Sequence, residues 1–130
     1  MKKLYVFFLL LLFVFSGCED NAIILSSGIY QSENDQLGTE PFRASLVIDS
    51  EKNRFTFNFD SLSSYFSEGP YSIKEGVLTA TTEDGRFVYL FKLIDSETLA
   101  FIETGSTKIR VLDERFGEAV NDGMRFVKTE

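Results

Sequence analysis

The sequence predicts an all-β fold: a small antiparallel up-and-down barrel of about eight strands, with a β-sandwich as the alternative. Three observations predict it. Apolar and polar residues alternate with period two in most runs after residue 28, the pattern of strands with one buried face. Short polar loops, several carrying Gly, separate the runs and join sequence neighbours as hairpins. No stretch sustains the i, i+3, i+4, i+7 apolar spacing of an amphipathic helix.

The elements follow in order. Gly28-Ile29-Tyr30-Gln31-Ser32 opens the series, and residues 44–49 place Leu46 and Ile48 on one face. Residues 54–60 are the cleanest case, with Phe55, Phe57 and Phe59 facing opposite to Thr56, Asn58 and Asp60. Tyr71 and Ile73 alternate with Ser72 and Lys74, and Leu78 and Ala80 with Thr79 and Thr81. Phe87, Tyr89, Phe91 and Leu93 form a longer face, continued by Leu99 and Phe101 and ended by Met124 and Phe126. Lys74-Glu75-Gly76 and Glu83-Asp84-Gly85 read as tight loops in which Gly takes the positive-φ position. Residues 61–68 are the one segment with the makings of a helical turn, and 106–120 read as an irregular connection. Return of the last strand, near 124–128, beside the first, near 28–32, would close the sheet and remove its exposed edges.

Ahead of these runs stands a different kind of segment. Lys2 and Lys3 precede twelve unbroken apolar residues, 4–15, and Ser16-Gly17-Cys18 follows. A charged start, a short apolar stretch and a small-residue end make a secretory signal. Twelve residues fall short of the ~20 that a transmembrane helix requires. Phe15-Ser16-Gly17-Cys18 resembles the lipobox of bacterial lipoproteins, with Phe15 where Leu is usual. The resemblance implies cleavage before Cys18 and lipidation of its thiol. Two acyl chains on one residue give stable anchoring where a single chain is marginal. The expected organisation is a signal peptide at 1–17, a lipid-bearing Cys18 with a short tether to residue 27, and one domain at 28–130. The expected location is the extracytoplasmic face of the cell membrane.

Charge and cysteine content bound the rest. The chain has 13 basic and 20 acidic residues, a net charge of −7, which becomes −9 once Lys2 and Lys3 leave with the signal. That sign opposes nucleic-acid binding, which needs a basic footprint. Cys18 is the single cysteine, so the chain closes no internal disulfide. The sequence contains no His, which excludes Ser-His-Asp and Cys-His catalysis and His-ligated zinc. Carboxylates are scattered over turns without the spaced ligands of a calcium loop. The reading is a non-enzymatic chain with no cofactor and no metal.

Aromatic content is the informative feature. Ten Phe and four Tyr remain after residue 17, many on alternating faces. Such rings either fill a small β interior or line a barrel that accepts an apolar ligand. The candidate lining is Tyr30, Phe55, Phe57, Phe59, Tyr89, Phe91 and Phe101. Tyr65 and Phe66, in the loop before Gly69-Pro70-Tyr71, are the candidate contacts for a partner.

A wider resemblance accompanies these residues. The segments 55–59, 61–65, 69–71, 76–79, 83–87, 91–92, 98–101 and 122–126 together resemble a small domain of Gram-positive bacteria. It is found as a stand-alone lipoprotein and is similar to C-terminal appendages of membrane metallopeptidases of the β-lactam-sensor type. The resemblance implies a lipocalin-like β fold and no established activity. Gly28-Ile29-Tyr30 resembles the Gly-x-Trp near the start of lipocalins, with Tyr30 in place of Trp. Two functions are expected in outline: a lipid-anchored binding module for a small apolar molecule or cell-envelope component, or a protein-interaction or regulatory module with a filled core.

Overall fold

A computed structural model describes residues 23–33 and 42–130. The expected signal peptide at 1–17, Cys18 and the start of the expected tether lie outside the described residues. Eight strands run β1 (Gly28–Ser32), β2 (Ser45–Asp49), β3 (Arg54–Asn58), β4 (Ser67–Lys74), β5 (Val77–Thr81), β6 (Val88–Asp95), β7 (Thr98–Ile102) and β8 (Arg125–Lys128). Each pairs antiparallel with its sequence neighbour, and β8 pairs with β1, so the sheet is a closed barrel. Closure leaves no strand edge open to pairing with another chain.

Alternation explains which side chains fill the interior. Tyr30, Leu46, Ile48, Phe55, Phe57, Tyr71, Leu78, Ala80, Tyr89, Phe91, Leu93, Leu99, Phe101 and Phe126 form one continuous buried core. Phe57 is its centre, with the rings of Phe59 and Tyr89 each 5.1 Å away and those of Phe91, Phe126 and Phe101 at 5.4, 5.8 and 6.5 Å. Several of these contacts are edge-to-face, as the ring quadrupole favours. The β4–β5 loop goes further than the sequence pattern implied. Both Glu75 (φ 53°) and Gly76 (φ 75°) are left-handed, the two-residue hairpin geometry that matches strand twist.

Antiparallel order gives the barrel two distinct ends. The chain enters at one of them, with the β2–β3, β4–β5 and β6–β7 loops and the C-terminus. That end is closed. Leu25 is buried there, Ser26 N–H donates to Ser96 O at 3.0 Å, and the Tyr30 hydroxyl donates to Ser26 O at 2.6 Å and lies 3.1 Å from Ser96 O. The chain is thus packed onto the barrel three residues before β1 begins.

The opposite end is crossed by the long connection between β7 and β8, which works as a strap. Past the end of β7, Thr107 is fastened to β6, donating N–H to Val88 O at 2.7 Å and accepting Val88 N–H on its hydroxyl at 2.9 Å. The strap then meets the end of β3: Asp60 accepts from Leu112 N–H at 3.3 Å and bridges to Gly117. Finally the buried Glu118 carboxylate accepts from the Ser32 hydroxyl and from Ala44 N–H, fastening the strap to β1 and β2.

Residues 61–66 form no helical turn, contrary to the expectation. Ser63 Oγ accepts Tyr65 N–H at 3.2 Å, a donor that a helix would turn to Ser61 O, while Asp60 Oδ1 accepts Leu62 N–H at 2.9 Å. From Ser67 the chain is already in β4. Within that strand, Gly69 faces inward where the backbone of β5 and its loop press close. A Cβ at Gly69 would collide with Thr81 O and lie 2.8 Å from Glu83 N.

Candidate functional site

The strap does not cover the whole open end. Between the ends of β3 and β4, the 82–87 loop and residues 107–110, a cavity of about 340 Å³ opens to solvent. That volume is at the lower end of the ~300–1,000 Å³ typical of small-molecule sites.

Its floor is aromatic. Phe57 and Tyr89 reach it from β3 and β6, and Phe59 lies just past the end of β3. Phe59 and Tyr89 rings are 6.0 Å apart. One wall is made by two loops joined through side chains. The Tyr65 ring stands edge-on to Phe87 at 5.0 Å, and its hydroxyl donates to Asp84 Oδ1 at 2.7 Å. The same oxygen accepts from Thr82 Oγ1 at 2.9 Å and Arg86 N–H at 3.0 Å. These donors, led by Arg86 N–H, hold the Asp84 carboxyl below its ordinary pKa. Burial raises the Tyr65 phenol, and the Asp84 carboxylate acts in the same direction. Burial likewise raises Tyr89, partly offset by the Ser67 hydroxyl beside it.

The rim is basic. Arg86, Lys108 and Arg110 border the cavity and are exposed. The Arg86 guanidinium carbon lies 5.9 Å from the centre of the Tyr65 ring and 5.4 Å from that of Phe87, within cation–π range of both. Asp60, the carboxylate in the lining, has its two oxygens engaged by Leu62 N–H and Leu112 N–H.

The residues singled out from sequence fall into three places. Phe57, Phe59, Tyr89 and Tyr65 line the cavity. Phe55, Phe91 and Phe101 are packed in the core outside the lining. Tyr30 sits at the closed end, its hydroxyl tied to the entering chain. Phe66 is outside the lining and stands 77% exposed. Cys18 lies outside the described residues. The sequence pattern does not single out Phe87, Arg86, Lys108 or Arg110 as site residues. The signal that could have found the last two was the alternation Thr107-Lys108-Ile109-Arg110 inside a stretch read as irregular. Compared with protein-family models, curated proteins and solved structures, the chain matches none.

Proposed function

We propose that this chain is a lipid-anchored, extracytoplasmic binding module whose barrel mouth takes a small, partly apolar molecule. One observation carries the binding reading: a ring-floored cavity of about 340 Å³ at one end of a barrel that is sealed at the other. An interior packed throughout would have put the rings to purely structural use. Here Phe57, Phe59 and Tyr89 serve the core on one side and an open surface on the other. The anchor is supported by Lys2-Lys3, the apolar run and Ser16-Gly17-Cys18. It would leave the mouth at the end of the barrel away from the tether.

Native mass spectrometry of the chain purified from its host tests the binding reading, with a bound small molecule expected and bare protein refuting it. Fractionation of a Cys18→Ser variant tests the anchor: wild type in membranes and variant in the soluble fraction support it, and unchanged membrane partition refutes it. A second reading, docking of a protein partner, is favoured by Leu62 and Leu112, which stand 51% and 79% exposed beside Asp60 at the same end. Bare protein in the first assay would turn attention to it.

A further inference from the structure

The cavity has two chemical halves, and together they specify more than an apolar ligand. The floor and one wall are the rings of Phe57, Phe59, Tyr89, Tyr65 and Phe87, while the rim carries Arg86, Lys108 and Arg110. This is a local reversal of sign in a chain whose overall net charge is −7. Asp60 contributes negative charge to the lining, and its oxygens already accept backbone donors. Asp84, outside the lining, offsets part of the Arg86 charge, but its Oδ1 accepts from Tyr65, Thr82 and the Arg86 backbone. Ion pairs elsewhere on the surface engage Arg54, Arg115 and Arg125. Among the described residues, none engages Arg86, Lys108 or Arg110.

We propose that the mouth binds an anionic amphiphile, its carboxylate or phosphate headgroup held by Arg86, Lys108 and Arg110 and its apolar part laid on Phe57, Phe59 and Tyr89. The proposal rests on the binding reading above and adds the headgroup. Two features of the geometry favour an anion over a neutral or cationic ligand. Cation–π contact with the Tyr65 and Phe87 rings restrains the Arg86 guanidinium, so less side-chain freedom is lost when an oxyanion is captured. Low-dielectric ring walls beside the three cations concentrate their field at the opening and raise the local concentration of anions.

The test uses the full chain held in phosphatidylcholine nanodiscs, with empty nanodiscs subtracted. Calorimetric titration compares nonanoate, octyl phosphate, octanol and octyltrimethylammonium, which share one octyl tail. The expected result is that one or both anions bind at least ~10-fold tighter than octanol, with the better anion identifying the headgroup as carboxylate or phosphate. That preference should shrink in 0.5 M salt, because exposed charges are screened. An Arg86→Gln/Lys108→Gln/Arg110→Gln variant should bring the anions down to the level of octanol. Lys108→Gln/Arg110→Gln, which touches neither the ring stack nor any hydrogen bond, should lose most of the preference, and Lys52→Gln at the closed end should keep it. Equal affinity for octanol and the anions, tightest binding of the ammonium, or an anion preference that survives the triple substitution would overturn the headgroup while leaving an apolar site. Failure of all four probes would overturn both.

Discussion

Truncation of Phe57 to alanine probes the packed interior most directly. Five rings lie around it at 5.1–6.5 Å, on strands whose ladders limit any collapse into the hole. Phe→Ala changes in cores cost ~3–5 kcal/mol from lost transfer free energy and the cavity left behind. Edge-to-face pairs add ~0.5–1.5 kcal/mol each beyond burial, though not additively. Against this, one side of the ring borders the mouth cavity, where the removed contacts are fewer. The expected loss is therefore about 4 kcal/mol, near the middle of the range. A domain of this size has a total stability of ~5–15 kcal/mol, and with one cysteine the chain has no internal disulfide to restrain its unfolded state. The variant should fold with little to spare. Urea unfolding followed by far-ultraviolet circular dichroism measures the change. With a slope of ~1.5 kcal/mol/M, the midpoint should fall by roughly 2–3 M. Phe66→Ala, whose ring is 77% exposed, should stay within ~0.5 kcal/mol of wild type. A loss below ~1 kcal/mol for Phe57→Ala at unchanged slope would mean that the ring cluster does not hold the barrel together.

Two further predictions concern the backbone and pH. Gly69→Ala places a Cβ against Thr81 O and Glu83 N, backbone atoms that cannot swing aside, so thermal or urea unfolding should show a loss of ~1–3 kcal/mol; an unchanged midpoint would refute the close approach. Burial raises the phenol pKa values of Tyr30, Tyr71 and Tyr89 above the ordinary 10.0. The sign follows: a raised acid binds its proton more tightly when folded, so its contribution is complete below pH ~10 and is lost as pH climbs through the folded values. Absorbance at 295 nm should then show these tyrosines ionising above pH ~10 together with loss of the β dichroism, and a titration centred at the ordinary value with the fold intact would contradict their burial.

Much of the barrel is legible in the chain because strand side chains repeat every two residues and hairpins are local. Phe55 and Phe57 face inward for no other reason than their spacing, and Glu83-Asp84-Gly85 turns where its residues say it should. The eighth strand pairs with the first, as expected of an antiparallel meander of this length, which is most stable with its edges paired. Misreadings arose where side chains bond to backbone out of register with any period. Residues 61–68 have the makings of one helical turn, yet Ser63 Oγ claims the Tyr65 N–H that the turn would use and β4 begins at Ser67.

By itself, then, the order of residues determined the architecture, the inward rings and the basic-apolar-small pattern ahead of Cys18. It left undecided which rings would be core and which would meet solvent, since Phe57, Phe59 and Phe91 are indistinguishable by alternation. Tertiary structure decided that. Asp60 and Leu112 are 52 positions apart, and their hydrogen bond is one of several long-range contacts, with the Asp60–Gly117 bridge and the Glu118 bonds to Ser32 and Ala44, that hold the β7–β8 strap across the mouth. The same fold brings Lys108 and Arg110 to the rim that Arg86 shares. Contacts of that kind depend on how the closed sheet positions its loop ends in space, a non-local quantity that no periodicity along the chain encodes.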